Sequence, residues 1–390
     1  MRYDHGRDAP DPAQFILDSY KLLFPDFILA VCLLAAAAIF AVAYRDRHGP
    51  IALTLTQQHR WQLSSHGFLM AGQAEKLPPK FDAWEATVAR LPELNRAGQL
   101  HAEIGRLPCL SIASEELSAP ALRRARVILT YLVHSYMFGH LVPWQQLDEK
   151  EGDPCARFAF IPLSDAADAS AASRSTLPPP PPPPQQQQQL PPQLATPWRQ
   201  VSSLLQMPLV LTVTDADLWN AAPGLESLPP SEWIAGFRQL ISFTSTRSER
   251  GFHAVPHAIN RALAPLVPRL LAAPDMARRN QRARLASLLE DLAAGLGEAK
   301  EHLESIYREV DVGEFYDFYR FLLGGWAPEG LKLPVAPEHG LEEELVVLVG
   351  PSAGQTAVLI LVDLVLGVSQ YASSGSNPGS ATALVAPSLL

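Results

Sequence analysis

The sequence predicts an all-α protein with minor β pieces. Apolar residues recur at helical spacing over two long segments, and a third apolar run near position 360 follows a helix-start signal. Strand signals are confined to Leu209–Val213 and Glu344–Val349. With 390 residues, 47% of them hydrophobic and 18% charged, the chain can bury a sizeable core in two or three compact units. A net charge of −9 argues against a nucleic-acid partner, since such binders carry a basic excess. Cys32, Cys109 and Cys155 provide neither a disulfide framework nor paired metal-ligand spacing.

Residues 1–26 read as a mixed-charge N-terminal tail. Residues 27–44 (Phe27–Tyr44) are uncharged and, at 1.5 Å per residue, give about 27 Å of helix, enough for a transmembrane span. Arg45 and Arg47 directly after it would leave the main body cytoplasmic, anchored to a membrane by this single span. A buried helix in a soluble domain is the alternative reading. A small helical unit is expected over 60–150. In it Leu122, Ala125, Leu129, Leu132 and Tyr136 form an apolar stripe, with Pro120 as a start signal and Arg123, Arg124 and Arg126 off the stripe.

Residues 165–192 read as a disordered linker, running through Pro178–Pro184 and Gln185–Gln189, a composition that favours extended polyproline II and cannot pack a core. An SH3- or WW-type partner is the sharper reading of that run, although no basic residue inside it would orient one.

A larger helical unit follows over 193–368. Leu285, Leu288, Leu292, Leu296, Ala299, Leu303 and Ile306 share one face of a long helix, where Gly295 and Gly297 predict close packing or a bend. Ser352 and Gln355 form a capping-box pattern ahead of Ala357–Val368, a helix apolar nearly all round in which Asp363 needs a partner if buried. Residues 369–390 have the Ser/Gly/Ala/Pro composition of a disordered tail.

Phosphate loops, dinucleotide fingerprints and HExxH are all missing from the sequence. His253 and His257 have i,i+4 spacing, but Pro256 lies between them. They read as loop or helix-entry histidines rather than as a metal pair.

A set of ordered motifs goes further. It comprises Gly67-Phe-Leu, Leu77-Pro-Pro-Lys-Phe-Asp-Ala-Trp-Glu85, Leu91-Pro92, Leu107-Pro108 and the segment Leu122 to Gly139. After the linker come Leu190-Pro191-Pro192, Ala195-Thr-Pro-Trp198, Leu240 to Phe252, Phe315 to Trp326 and Gly350-Pro-Ser-Ala-Gly-Gln355. Together they resemble the indoleamine 2,3-dioxygenase family from about Gly67 to Val368, the linker excepted. The resemblance implies a two-domain helical haem-dioxygenase-like fold with haem b as cofactor. It implies L-tryptophan or a related indoleamine and O2 as partners, with cleavage of the indole ring to N-formylkynurenine.

It also implies roles for individual residues. Arg320 would pair with the substrate carboxylate, for which a guanidinium offers a planar fork. Phe315 would pack on the indole, Phe252 would stand at the distal entrance and Tyr136 near the substrate ring. Ser352 and Ala353 would line a small-residue loop over the haem edge, with Leu323 also on the cofactor. From the residues alone, Arg320 could equally be a surface ion-pair residue, Phe315, Phe252 and Tyr136 core aromatics, and Ser352 a helix cap.

The departures concern the iron and the distal side. The family's proximal histidine lies beyond the helix ending at Val368, and Ser369–Leu390 contains no histidine, so the metal ligand is unknown and the large unit is expected to be incomplete at its C-terminal end. His253 replaces an apolar or aromatic residue, Pro256 a small polar residue or histidine, and Pro351 a glycine. These departures support a second expectation, a catalytically inactive relative acting as a binding protein.

Overall fold

The computed structural model describes residues 67–70, 76–112, 117–144, 189–352 and 355–368. The expected span at 27–44, the N-terminal and C-terminal tails, the proline run, the glutamine run up to Gln188 and Ala353 lie outside the described residues. Among the described residues no helix is long and apolar enough to cross a membrane.

The described chain is mostly helical. Three short helices, α1 (Asp82–Ala89), α2 (Leu91–Arg96) and α3 (Leu100–Arg106), precede α4 (Ala119–Phe138). Ser118 caps α4 by accepting from the Ala121 amide, and Pro120 supplies the preset φ of a first turn. After the linker come α5 (Pro192–Leu205), α6 (Arg247–Leu263), α7 (Val267–Arg278), α8 (Arg282–Glu304) and α9 (Ala357–Leu366). Two strands, β1 (Leu331–Leu333) and β2 (Glu344–Val346), pair antiparallel with Leu331 opposite Val346.

Two hydrophobic clusters organise these elements. The first gathers α1 to α5 with the 209–219 and 318–346 segments, so it draws on residues from both sides of the linker. The second lies between α6, α7, α8 and α9. In α8 the expected face is the buried one: Leu288, Leu292, Leu296 and Ala299 are all buried. The two glycines differ. A Cβ on Gly295 would press on Leu263 and Leu266 at 3.2 Å, whereas one on Gly297 would meet open space, and α8 continues through both. Close packing therefore explains Gly295 alone.

Several expectations are corrected. Leu209–Val213 is not a strand: the carbonyls of Pro208, Leu209 and Val210 are taken by the side chains of Arg126 and Trp326, and the Leu211 amide by His134. A backbone solvated by side chains has no need of a neighbouring strand. Of the second stretch, only Glu344–Val346 pairs in the ladder. The final helix starts later than the capping pattern suggests. Thr356 is its N-cap residue, and of the box only the Gln355 side chain accepting from the Ser352 amide is formed. Arg126, off the apolar stripe, is fully buried.

Candidate functional site

α4 is the axis of the site, and from Ala125 to Ser135 every residue is buried. A buried guanidinium is tolerated only when its donors are satisfied and its charge is compensated. Arg126 meets both conditions through Asp215 at 3.0 and 3.1 Å and the carbonyls of Pro208 and Val210 at 2.8 and 2.7 Å. Two turns on, His134 donates from Nδ1 to the Leu322 carbonyl and accepts at Nε2 from Leu211. Burial pulls its pKa down to about 3, against the opposing pull of the Leu322 carbonyl, so it is a neutral imidazole with its tautomer fixed by two backbone groups.

Asp215 belongs to a π-helical turn, Thr214–Leu218, and a second such turn covers Phe315–Tyr319. Such turns are rare and gather at functional sites. Both face α6. That helix begins at Thr246, which accepts from the Glu249 amide, while the Glu249 carboxylate takes the amides of Phe243 and Thr244 and the Ser242 hydroxyl. Gly251 lets α6 approach the backbone at Glu309, since any Cβ there would collide with it. Ser248 accepts from the Asp311 amide, and the Ser248 amide donates to Glu314, which secures the strand of chain leading into the second turn.

His253 and His257 are neither loop nor helix-entry residues. They lie buried on one face of α6, with Pro256 inside the helix. Nδ1 of His253 is hydrogen-bonded to Asp217 and its Nε2 to the Tyr319 hydroxyl. His257 donates from Nδ1 to the Asp217 carbonyl at 2.8 Å. The i,i+4 pair thus grips one aspartate, by side chain and by backbone, and this is what the spacing is for. Burial raises the Asp217 carboxyl pKa, partly offset by His253. Burial first, then the charges around it, pushes the Tyr319 phenol well up. His257 is pulled down to about 4 by burial, with the nearby Arg261 charge adding to it.

Of the residues picked from the sequence, Phe252 and Phe315 come together, half-buried, with ring centroids 4.7 Å apart. Tyr319 joins them at 5.9 and 5.8 Å. Arg320 follows directly. It is exposed, lies 5.1 Å over the Tyr316 ring and makes no ion pair among the described residues. Tyr136 is placed elsewhere, its ring stacked on His101 at 4.0 Å, while Tyr131 reaches toward the cluster through Phe243, stacked at 4.2 Å. Ser352 is exposed, and Leu323 is half-buried against the first cluster. Sequence reasoning missed Asp215, Asp217, Tyr319 and Glu249. The local signal for the two aspartates was their pairing inside the stretch Val213 to Leu218, and Glu249 and Tyr319 lay inside the motifs Leu240 to Phe252 and Phe315 to Trp326.

The sequence profile of the indoleamine 2,3-dioxygenase family matches residues 57–385. The chain belongs to that family. An indoleamine 2,3-dioxygenase of Penicillium citrinum is 27% identical over 320 residues, covering 80% of this chain and 63% of the relative. Indoleamine 2,3-dioxygenase 2 of Mus musculus is 26% identical over 317 residues, covering 81% and 67%. A 6-hydroxytryptophan 2,3-dioxygenase of Fusarium equiseti is 25% identical over 305 residues, covering 76% and 63%. The chain spans about two thirds of the length of these relatives.

Haem is the group expected of an indoleamine 2,3-dioxygenase, and it needs a donor atom with a free lone pair facing a flat slot. Among the four histidines that are buried in the described residues, His134 and His253 have both ring nitrogens engaged. His257 commits Nδ1 to a carbonyl and borders a cavity of about 20 Å³, room for one water. His302 has an unpartnered Nε2, but it sits 3.8 Å from Glu298 and against Trp233, which packs on the second cluster away from the Phe252–Phe315 wall. None of these four histidines therefore offers a ring nitrogen placed to ligate an iron porphyrin beside the Phe252–Phe315 pair, and the described residues do not fit that group.

Proposed function

We propose that this chain holds an indole amino acid, L-tryptophan or a close relative, in the manner its family membership implies. Phe252 and Phe315 form the apolar wall for the ring, and Arg320 takes the carboxylate. The observation that carries the reading is Arg320 itself. It is a guanidinium without an ion-pair partner among the described residues, one residue beyond an aromatic cluster. An unpaired fork beside an aromatic face suits a ligand with a flat ring at one end and a carboxylate at the other. The reading divides the chain into a small helical domain at 60–150 and a large one at 193–368, joined through 165–192. It names the reaction as insertion of O2 into the indole ring to give N-formylkynurenine, with haem b as the family's cofactor.

A second reading, a binding relative without turnover, is favoured by the engagement of the buried histidine nitrogens in hydrogen bonds. Calorimetric titration with L-tryptophan and with tryptamine, which lacks the carboxylate, tests the binding claim. Arg320→Ala should weaken L-tryptophan about tenfold or more, in keeping with a charge-assisted hydrogen bond of about 1.5–3 kcal/mol, and leave tryptamine unchanged. Equal affinities in the variant and the native chain would overturn it. Formation of N-formylkynurenine after incubation with haem b, O2 and a reductant separates the enzyme from the binding relative.

A further inference from the structure

Adjacent residues of α6 grip both ends of one turn. Phe252 packs on Phe315, the first residue of the π-turn, and His253 is hydrogen-bonded to Tyr319, the last. Behind His253 stands Asp217, held in place from a second side by His257. Asp217, His253 and Tyr319 come from three separate elements, yet all three are buried, with Tyr319 at 0% exposure. Apolar residues would fill the same space without desolvating a carboxylate, an imidazole and a phenol. Buried polar chains of this kind add directional bonds, which fix one register where apolar packing tolerates several.

What that register controls lies next in the chain. The Arg320 amide donates to the Phe315 carbonyl, closing the π-turn, and the chain then passes into a 3₁₀ turn over Arg320–Leu323. Losing the extra residue of the turn would return it to α-helical geometry and rotate Arg320 by about 100° around the axis relative to Phe315. We infer that Asp217, His253 and Tyr319 form a positioning relay that locks the π-turn so that Arg320 and Phe315 address the two ends of one ligand. The inference rests on the indole amino acid reading above. None of the three touches the ligand's carboxylate; they act through the backbone that carries Arg320.

Two variants test it. Tyr319→Phe removes a single hydroxyl, and the triple Asp217→Leu, His253→Phe, Tyr319→Phe replaces the whole relay by apolar residues so that no buried group is orphaned. Both should bind L-tryptophan about tenfold more weakly than the native chain, with tryptamine affinity changed less than twofold. Amide hydrogen exchange over 315–320 should accelerate about tenfold, with α8 amides unchanged. Equal weakening of both ligands would reduce the relay to ordinary core packing and overturn the inference, as would native affinity for both. If the native chain binds no L-tryptophan, the indole reading itself has failed, and hydrogen exchange then decides. Unaltered exchange over 315–320 in Tyr319→Phe would show that the relay holds nothing.

Discussion

The first cluster threads polar side chains through its centre, and the second scarcely does so. Around α4 the aliphatic and aromatic residues enclose the Arg126–Asp215 ion pair, His134, the Asn95–Ser135 pair and the Asn220–Tyr131 bond. Between α6, α7, α8 and α9 the packing is leucine, valine, alanine and isoleucine, with a side-chain pair, Asn260 and Thr356, joining α6 to the start of α9. α6 faces both, presenting Ala254, Val255, Ala258 and Leu263 to the second cluster and His253 to the buried polar chain. The difference teaches where this fold is specified by direction and where by volume. Directional bonds cluster around the two π-turns and the candidate site, and shape-filling holds the scaffold behind them.

Breaking the polar side should have the largest effect. Asp215→Ala leaves the Arg126 guanidinium buried without its counter-charge and should cost about 3–5 kcal/mol, read as a lowered urea midpoint. Replacing both partners by Met and Leu should recover most of that loss; if it does not, the pair contributes more than mutual compensation.

Leu292→Ala on the aliphatic side removes buried volume at 1% exposure and should cost about 3 kcal/mol, with L-tryptophan affinity unchanged. A parallel loss of affinity would show that the two clusters do not divide the work.

Acid sharpens the comparison further. His134 and His257 are held near 3 and 4, below their ordinary value of 6.5, so the unfolded chain binds their protons first as pH falls. Their contribution is complete above about pH 6.5 and shrinks as pH drops toward their folded values, by about 2 kcal/mol per histidine at pH 5. Denaturation midpoints measured from pH 7 to 5 should show this fall. His134→Gln should flatten it by about half, and an unchanged slope in that variant would place the acid sensitivity elsewhere.

Much of the helical scaffold is legible in the sequence. The Leu122–Tyr136 stripe became α4 with Ser118 and Pro120 at its start, and the Leu285–Leu303 face became the buried side of α8. These readings succeed because amphipathic periodicity is local. Arg126 was misplaced for the opposite reason: its neighbours in sequence mark it as solvent-facing, and its partner Asp215 is 89 residues away. Leu209–Val213 has strand composition, yet its hydrogen-bonding groups are claimed by side chains of α4 and by Trp326. At the site, Phe252, Phe315 and Arg320 lie in motifs that imply a role and could be named, whereas Tyr319, inside the same Phe315 to Trp326 motif, had no implied role and Asp217 lies in no motif.

Local pattern marks the chain as mostly helical, gives the apolar faces of α4 and α8 and, through the ordered motifs, the family to which the chain belongs. Only the tertiary structure decided which polar groups go inside. Burying Asp217, His253 and Tyr319 is tolerable only where each finds the others, and their meeting depends on three elements separated by 36 and 66 residues. Local pattern reports the cost of burying a charge. It carries no record of the distant partner that cancels it.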